Sequence, residues 1–224
     1  MAKLYVIPTP IGNLDDITIR AIKTLEFVDI ILCEDTRRSQ KLLNHLGIKS
    51  NLKSHHKFNE HKQVNNIVDK IKSGSNVGVI SDAGTPGISD PGFLLIRSCL
   101  NSNIDIECLP GPTALIPALI ISGLPMEKFV FEGFLPNKKG RKMKLQSLSQ
   151  ETRTMIFYES PHKLTKTLID FQNIFGLERK ISLSREITKI YEHTQRGKIN
   201  EILEKLQYKK NKGEFVIVVD GKKS

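Results

Sequence analysis

Asn76-Val77-Gly78-Val79-Ile80-Ser81-Asp82-Ala83-Gly84-Thr85-Pro86-Gly87-Ile88-Ser89-Asp90-Pro91-Gly92 runs from a short apolar stretch straight into a loop of glycine, proline, serine and aspartate. A helical segment, Pro91 to Leu100, follows, and then a second apolar run, Ile104 to Cys108. Strand, loop, helix and strand in that order predict parallel strands in an open sheet with helices packed on its faces. The same alternation holds on the amino-terminal side, with strand Leu4 to Ile7, helix Thr18 to Phe27, strand Asp29 to Cys33 and helix Arg37 to Leu46. A further helix spans Glu60 to Lys72, where Val64, Ile67, Val68 and Ile71 fall on one face. Gly47 and Gly74 stand where helix ends need a left-handed residue, and Asp90-Pro91 reads as a cap followed by proline at the first helical position.

Beyond Pro110-Gly111-Pro112 the strands change character. Phe129 to Glu132, Thr154 to Tyr158, Ile181 to Arg185, Tyr191 to Arg196 and Phe215 to Asp220 are β-branched and aromatic, and only one helix, Lys198 to Lys209, separates the last three. Strands that follow each other without a helix pair antiparallel. The expected fold class is α/β with two α/β domains, 1–112 carrying a mostly parallel sheet and 113–224 a mixed one.

The longest apolar run, Ala114 to Leu124, is broken by Pro117, Ser122 and Gly123 and falls short of the roughly 20 residues of a membrane-spanning helix. Met1 to Pro8 has no cleavable hydrophobic region. A cytoplasmic protein without a membrane partner is expected. Cys33, Cys99 and Cys108 lie in or beside apolar runs and read as reduced core thiols, without the close pairing of zinc sites, so no metal is expected.

The 224 residues include 34 Lys and Arg and 24 Asp and Glu, a net charge of +10. Residues 1–115 hold 13 basic and 12 acidic groups, or +1, and residues 116–224 hold 21 and 12, or +9. One half thus suits a polyanion, since Lys and Arg that neutralise phosphates supply most sequence-independent nucleic-acid affinity. Lys138-Lys139-Gly140-Arg141-Lys142-Met143-Lys144 puts five cations at a helix start, where they oppose the macrodipole unless an anion is bound.

Ligand sites in open α/β sheets lie beyond the carboxyl ends of the strands. Three loops there are unusual and together suggest a cleft: Pro8 to Asp16, whose two prolines and Gly12 suit either a structural turn or a loop held rigid against a ligand; Ile80 to Gly92, whose backbone has little side-chain cover, so that a ligand can lie on it; and Leu109 to Ala114, a rigid turn where Thr113 can cap the next helix or offer a hydroxyl. In the second loop Asp82 is placed to accept from ribose hydroxyls or an ammonium group. The chain has neither a Walker lysine nor a G-x-G-x-x-G run there, which disfavours nucleoside triphosphates and dinucleotides.

Val6 to Leu14, Cys33 to Ser39, Ser81 to Gly92, Pro110 to Ala114 and Phe157 to His162 together resemble the tetrapyrrole-methylase-like class of S-adenosylmethionine-dependent methyltransferases, in its 16S rRNA branch. The resemblance runs over essentially the whole chain. It implies S-adenosylmethionine as cofactor in a cleft between the domains, 2'-O-methylation of a cytidine ribose in the decoding centre, 16S rRNA or the 30S subunit as partner, and a homodimer. It also implies cofactor contacts from Pro10, Ile11 and Gly12, from Ile80, Ser81, Asp82 and Thr85, and from Thr113 and Ala114, with Tyr158 and Glu159 closing the site. The broader class has a G-x-G-P-G loop where this chain has Pro8 to Gly12, a departure that favours the RNA branch over a tetrapyrrole substrate.

Methyl transfer to a ribose oxygen needs a positioned nucleophile and a group that takes its proton. Glu34 and Asp35 follow a strand, with Arg37 and Arg38 close enough to keep them ionised or to grip a phosphate. Asp35, His55, Glu159 and Glu186 are the candidates for base or orienting group, and the residues alone do not choose among them. RNA contacts are expected from Arg37, Arg38, His56, Lys138, Lys139, Arg141, Lys142, Lys144 and Arg185, with Phe58, beside Lys57, as a stacking face or a core residue. Competing readings are a methyltransferase of the same class with a tetrapyrrole or protein substrate, and an RNA-binding module without activity.

Overall fold

The structure is a computed structural model that describes residues 1–56, 58–206 and 211–223. The chain divides into two compact units, Met1–Thr113 and Ala114–Ser224.

In the first unit β1 (Leu4–Val6), α1 (Ile19–Phe27), β2 (Ile30–Cys33), α2 (Thr36–His45), β3 (Leu52–Ser54), α3 (Glu60–Lys72), β4 (Val77–Val79), α4 (Phe93–Asn101) and β5 (Ile106–Cys108) alternate. The strands lie in the order β3-β2-β4-β1-β5, and all four pairings are parallel. Both faces of a parallel sheet must be covered, so nearly every residue of β1, β2 and β4 is buried. Helices α3 and α4 cover one face through Val64, Ile67, Val68, Ile71, Leu95 and Cys99, and α1 and α2 cover the other through Ala21, Leu25 and Leu43. The expected apolar stripe of α3 is thus the buried one. Thr18 caps α1 by accepting from the Ala21 N–H at 3.0 Å, which starts the helix where its apolar period begins.

Three expectations are corrected, and one strand, β3, was not expected. β3 has no apolar alternation of its own; its strand conformation comes from pairing with β2, so local pattern did not reveal it. Asp90 does not cap α4, because Ser89 at φ 67° and Gly92 at φ 139° turn the chain and Gly92 itself precedes the helix. Thr113 caps nothing either: Ala114 occupies the position before α5 (Leu115–Ser122). Helix α7 (Leu164–Phe175) begins after Lys163. Cys108 sits on the last, exposed position of an edge strand, whereas Cys33 and Cys99 are buried.

The second unit adds β6 (Phe129–Phe134), α6 (Arg141–Leu148), β7 (Thr154–Glu159), β8 (Lys180–Arg185), β9 (His193–Lys198), α8 (Ile199–Leu206) and β10 (Phe215–Val219) to α5 and α7. The order is β6-β7-β10-β8-β9; β6 pairs parallel with β7 and the other pairs are antiparallel. Its mixed character arises because β8 and β9 follow each other without a helix and pair antiparallel, and β10 lies antiparallel to both β7 and β8. β10 occupies the centre and all five of its residues are buried, which is why Phe215 to Val219 reads as an unbroken apolar run. The end of the expected helix Lys198 to Lys209, from residue 207, lies outside the described residues, as does Lys57. Among the described residues no helix is long and apolar enough to cross a membrane.

Phe157 is fully buried in this unit, its ring 4.9 Å from that of Phe171. Phe157→Ala should cost about 3–5 kcal/mol through lost transfer energy and a cavity. Urea denaturation followed by circular dichroism checks this; a loss under 1 kcal/mol contradicts the packing described.

Candidate functional site

The neighbouring strands β4, β1 and β5 run parallel and deliver their carboxyl ends, with the loops that follow them, to one edge of the first sheet. Backbone bonds tie these loops to one another. Thr9 N–H donates to the Gly84 carbonyl at 2.9 Å and Gly84 N–H returns to the Thr9 carbonyl at 3.0 Å. The Thr9 hydroxyl donates to the Ser81 carbonyl at 3.1 Å, and the Ser81 hydroxyl donates to the Gly84 carbonyl at 3.0 Å. Thr85 reaches the third loop, its hydroxyl donating to the Pro112 carbonyl at 3.0 Å. Glycine is required at two of these positions. A Cβ on Gly111 would stand 2.5 Å from the Pro8 Cβ, and Gly84 holds φ 84° with Ile11 Cγ2 only 3.2 Å from where its Cβ would be.

Acidic groups gather at the same edge. Asp82 accepts from the Asp35 N–H at 3.1 Å and from the Arg38 guanidinium at 3.2 Å, which joins the β2 and β4 loops. Burial, then the charges of Asp90 and Asp82, push Glu34 up to about 7, against the weaker pull of Arg38. Burial and Asp82 push Asp90 up to about 6. His55, at the end of β3, is 2% exposed, and neither ring nitrogen has a partner among the described residues. Burial is the main cause holding its pKa below the ordinary imidazole value. A buried imidazole without partners is costly, and the neutral ring is the form that burial favours.

The remaining candidates are placed as follows. Pro10 and Ile80 are buried and brace the loops, Ile11 and Thr113 are half-buried, and Gly12 is exposed. Asp35 caps α2 through the Arg37 N–H at 2.9 Å, and the Arg37 guanidinium grips both of its oxygens, which holds its carboxyl at about 2. Such a group is a poor base at neutral pH. Arg37 and Arg38 keep exposed side chains on this rim. His56 contacts the Phe58 ring edge-on at 6.0 Å, and Phe58 is 91% exposed, which removes the core reading of that residue.

In the second unit Ala114 leads into α5, and Tyr158 packs edge-on against Phe131 and Phe134. Glu159 is buried and accepts from the Ser160 N–H at 2.7 Å and from the Thr167 hydroxyl at 2.6 Å. Thr167 in turn accepts from Arg141, whose guanidinium also donates to Asp170 at 2.8 Å. Arg141 is therefore corrected from an RNA contact to a core residue, 8% exposed, that completes a buried polar chain. Lys138, Lys139 and Lys142 are exposed, while Lys144 pairs with Glu132 at 2.5 Å. Arg185 donates to the Lys212 carbonyl at 2.7 Å, and Glu186 pairs with Lys189 at 3.0 Å while accepting from the Glu214 N–H. Glu34 and Asp90 gained their importance only here, since a raised carboxyl depends on neighbours distant in sequence.

The family model of tetrapyrrole (corrin/porphyrin) methylases matches residues 3–203. The methyltransferase CobJ shares the fold at a TM-score of 0.72 and 19% identity, covering 99% of this chain and 95% of that one. The chain is 46% identical to ribosomal RNA small subunit methyltransferase I of Thermotoga maritima over 222 residues, 99% of this chain and 100% of that protein. It is 50% identical to the protein of the same name from Haemophilus influenzae, over 98% of this chain and 78% of the relative. The chain belongs to the tetrapyrrole methylases and, within them, to the ribosomal RNA small subunit methyltransferase I family.

Between the ordinary value of 4.5 and about 7, the folded chain holds a proton on Glu34 that the unfolded chain releases. The contribution of Glu34 to stability is thus fully present below pH 4.5 and is lost as pH rises through 7. Carboxyl-carbon NMR titration should give a midpoint near 7 for Glu34, and Glu34→Gln should flatten the stability profile across that window. A Glu34 midpoint near 4.5 contradicts the clustering.

Proposed function

We propose that this chain transfers the methyl group of S-adenosylmethionine to the ribose 2'-oxygen of a cytidine in small-subunit ribosomal RNA. The observation that carries this reading is the carboxyl cluster of Glu34, Asp82 and Asp90 on loops bound tightly to one another. S-adenosylmethionine supplies an activated methyl group on a sulfonium, and its sulfonium and ammonium are positive. The edge suits such a cation, because three carboxyl groups there face mainly Arg38 and repel one another. Gly84 and Gly87, both at positive φ, leave backbone groups without side-chain cover for the uncharged parts of a nucleoside. Pro10, Ile11, Gly12, Ile80, Ser81, Asp82, Thr85 and Thr113 are the proposed contacts.

Glu34 is the proposed base. A carboxyl near 7 is a better proton acceptor than an ordinary glutamate and is still about half ionised at neutral pH. Arg37 and Arg38 hold phosphates on either side of the reacting nucleotide, and Phe58 offers a stacking face for an unpaired base. The names of the full-length relatives support ribosomal RNA as the methyl acceptor. A homodimer is the proposed assembly.

Incubation of the protein with methyl-labelled cofactor and either 30S subunits or bare 16S rRNA should place label on 2'-O-methylcytidine after nuclease digestion. Glu34→Gln should lower kcat about a hundredfold or more, a larger loss than the weakening of cofactor affinity that follows from removing one of the three carboxyl groups. Label on a base, or none in RNA, overturns the reading. In the second unit, Lys138, Lys139 and Lys142 changed together to Ala should weaken RNA binding and reduce its salt slope without loss of stability. Arg141→Ala should instead destabilise by about 3–5 kcal/mol, since Asp170 is left partly buried without its partner.

A further inference from the structure

A cavity of about 400 Å³ opens between α3 and the edge of the first sheet. None of its lining residues belongs to the three bound loops. Its origin is legible in the register. Lys53 pairs with Leu32 across β3 and β2, so its side chain leaves the sheet on the face that α3 covers, where β2 and β4 present Ile30, Leu32 and Val77. A lysine stands where an apolar residue would close the layer.

Helix α3 supplies the opposite wall. Lys62, Asn66 and Lys70, spaced by four, form one stripe along the cavity, and Gln63 and Ile67 form the next. Lys53, Lys62 and Lys70 make no ion pair with any carboxylate among the described residues, although Glu60 and Asp69 lie on the same helix. The ammonium of Lys70 lies close enough to depress that of Lys53, a like-charge contact that no carboxylate among the described residues offsets with an ion pair. An anion between them would remove that repulsion, and the apolar floor with the side-chain amides of Gln63 and Asn66 suits a planar heterocycle with donors and acceptors on its edge.

We propose that this cavity binds a phosphorylated nucleotide, its phosphate held by Lys53, Lys62 and Lys70 and its base laid on the apolar floor. The nucleotide comes either free or as one unit of an RNA strand, and the inference stands whether or not RNA is the methyl acceptor. Isothermal titration of the full chain with cytidine 5'-monophosphate, cytidine, inorganic phosphate and a short single-stranded oligoribonucleotide tests it. Lys53→Met with Lys70→Met should weaken binding of the occupant about tenfold or more, and Lys53→Arg with Lys70→Arg should largely restore it. Loss for the monophosphate alone assigns the site to a free nucleotide, and loss for the oligoribonucleotide assigns it to RNA. Cytidine should bind at least tenfold more weakly than its monophosphate. If neither phosphorylated probe loses affinity in a Met double variant of native circular dichroism, or cytidine binds as well as its monophosphate, or phosphate alone accounts for all binding, the proposal is overturned. A Met double variant that does not fold moves the decision to NMR of the native chain, where the monophosphate or oligoribonucleotide must shift the Lys53 and Lys70 signals; unshifted signals overturn it.

Discussion

The two-way bridge between Thr9 and Gly84 holds the working edge of the first unit together. It joins loops from two adjacent parallel strands by backbone alone, and the contact of Pro8 with Gly111 brings in the third. Side chains at 84 or 111 would push the loops apart, which explains why glycine and proline crowd these segments. The tied backbone also fixes where the acidic groups stand. Asp35 N–H on one loop and Asp82 on another share a hydrogen bond, so Glu34, Asp82 and Asp90 cannot separate to relieve their repulsion. The displaced titration of Glu34 and Asp90 is the electrostatic consequence of that geometry.

Position within a sheet decides what each strand can carry. β10, central in the second sheet, is buried on both faces and wholly apolar, whereas β9 at the edge of the same sheet carries histidine, glutamine, arginine and lysine. β3, an edge strand in the first unit, carries Lys53 toward a helix layer. A lysine in the middle of that sheet would face the full cost of burial; at the edge its ammonium stays near water while its methylene stem covers apolar surface.

Formal charge and available charge differ in the second unit. The cluster from Lys138 to Lys144 has five cations in the sequence, yet Arg141 is taken into the core by Asp170 and Thr167, and Lys144 is held by Glu132. Lys138, Lys139 and Lys142 remain exposed. The buried arginine also accounts for Glu159, whose oxygens are spent within the same polar chain.

Much of the fold was legible because its signals are local. The apolar period of 60–72, the β-branched run at 215–219 and the succession of late strands with only one helix among them each depend on residues a few positions apart, and so declared a parallel sheet followed by a mixed one. The composition of the loops likewise marked the segments that the Thr9–Gly84 bridge and the Thr85–Pro112 bond tie together. β3 was not legible, since pairing with β2 makes it a strand, and the expected caps at Asp90 and Thr113 failed because turn conformation outside the helix set its start. What only the tertiary structure decided were the distances between residues far apart in sequence. Asp35 meets Asp82, Arg141 meets Asp170 and Lys53 meets Lys70 through space. Proton affinity, burial and repulsion follow those distances, and a linear pattern of residue types does not contain them.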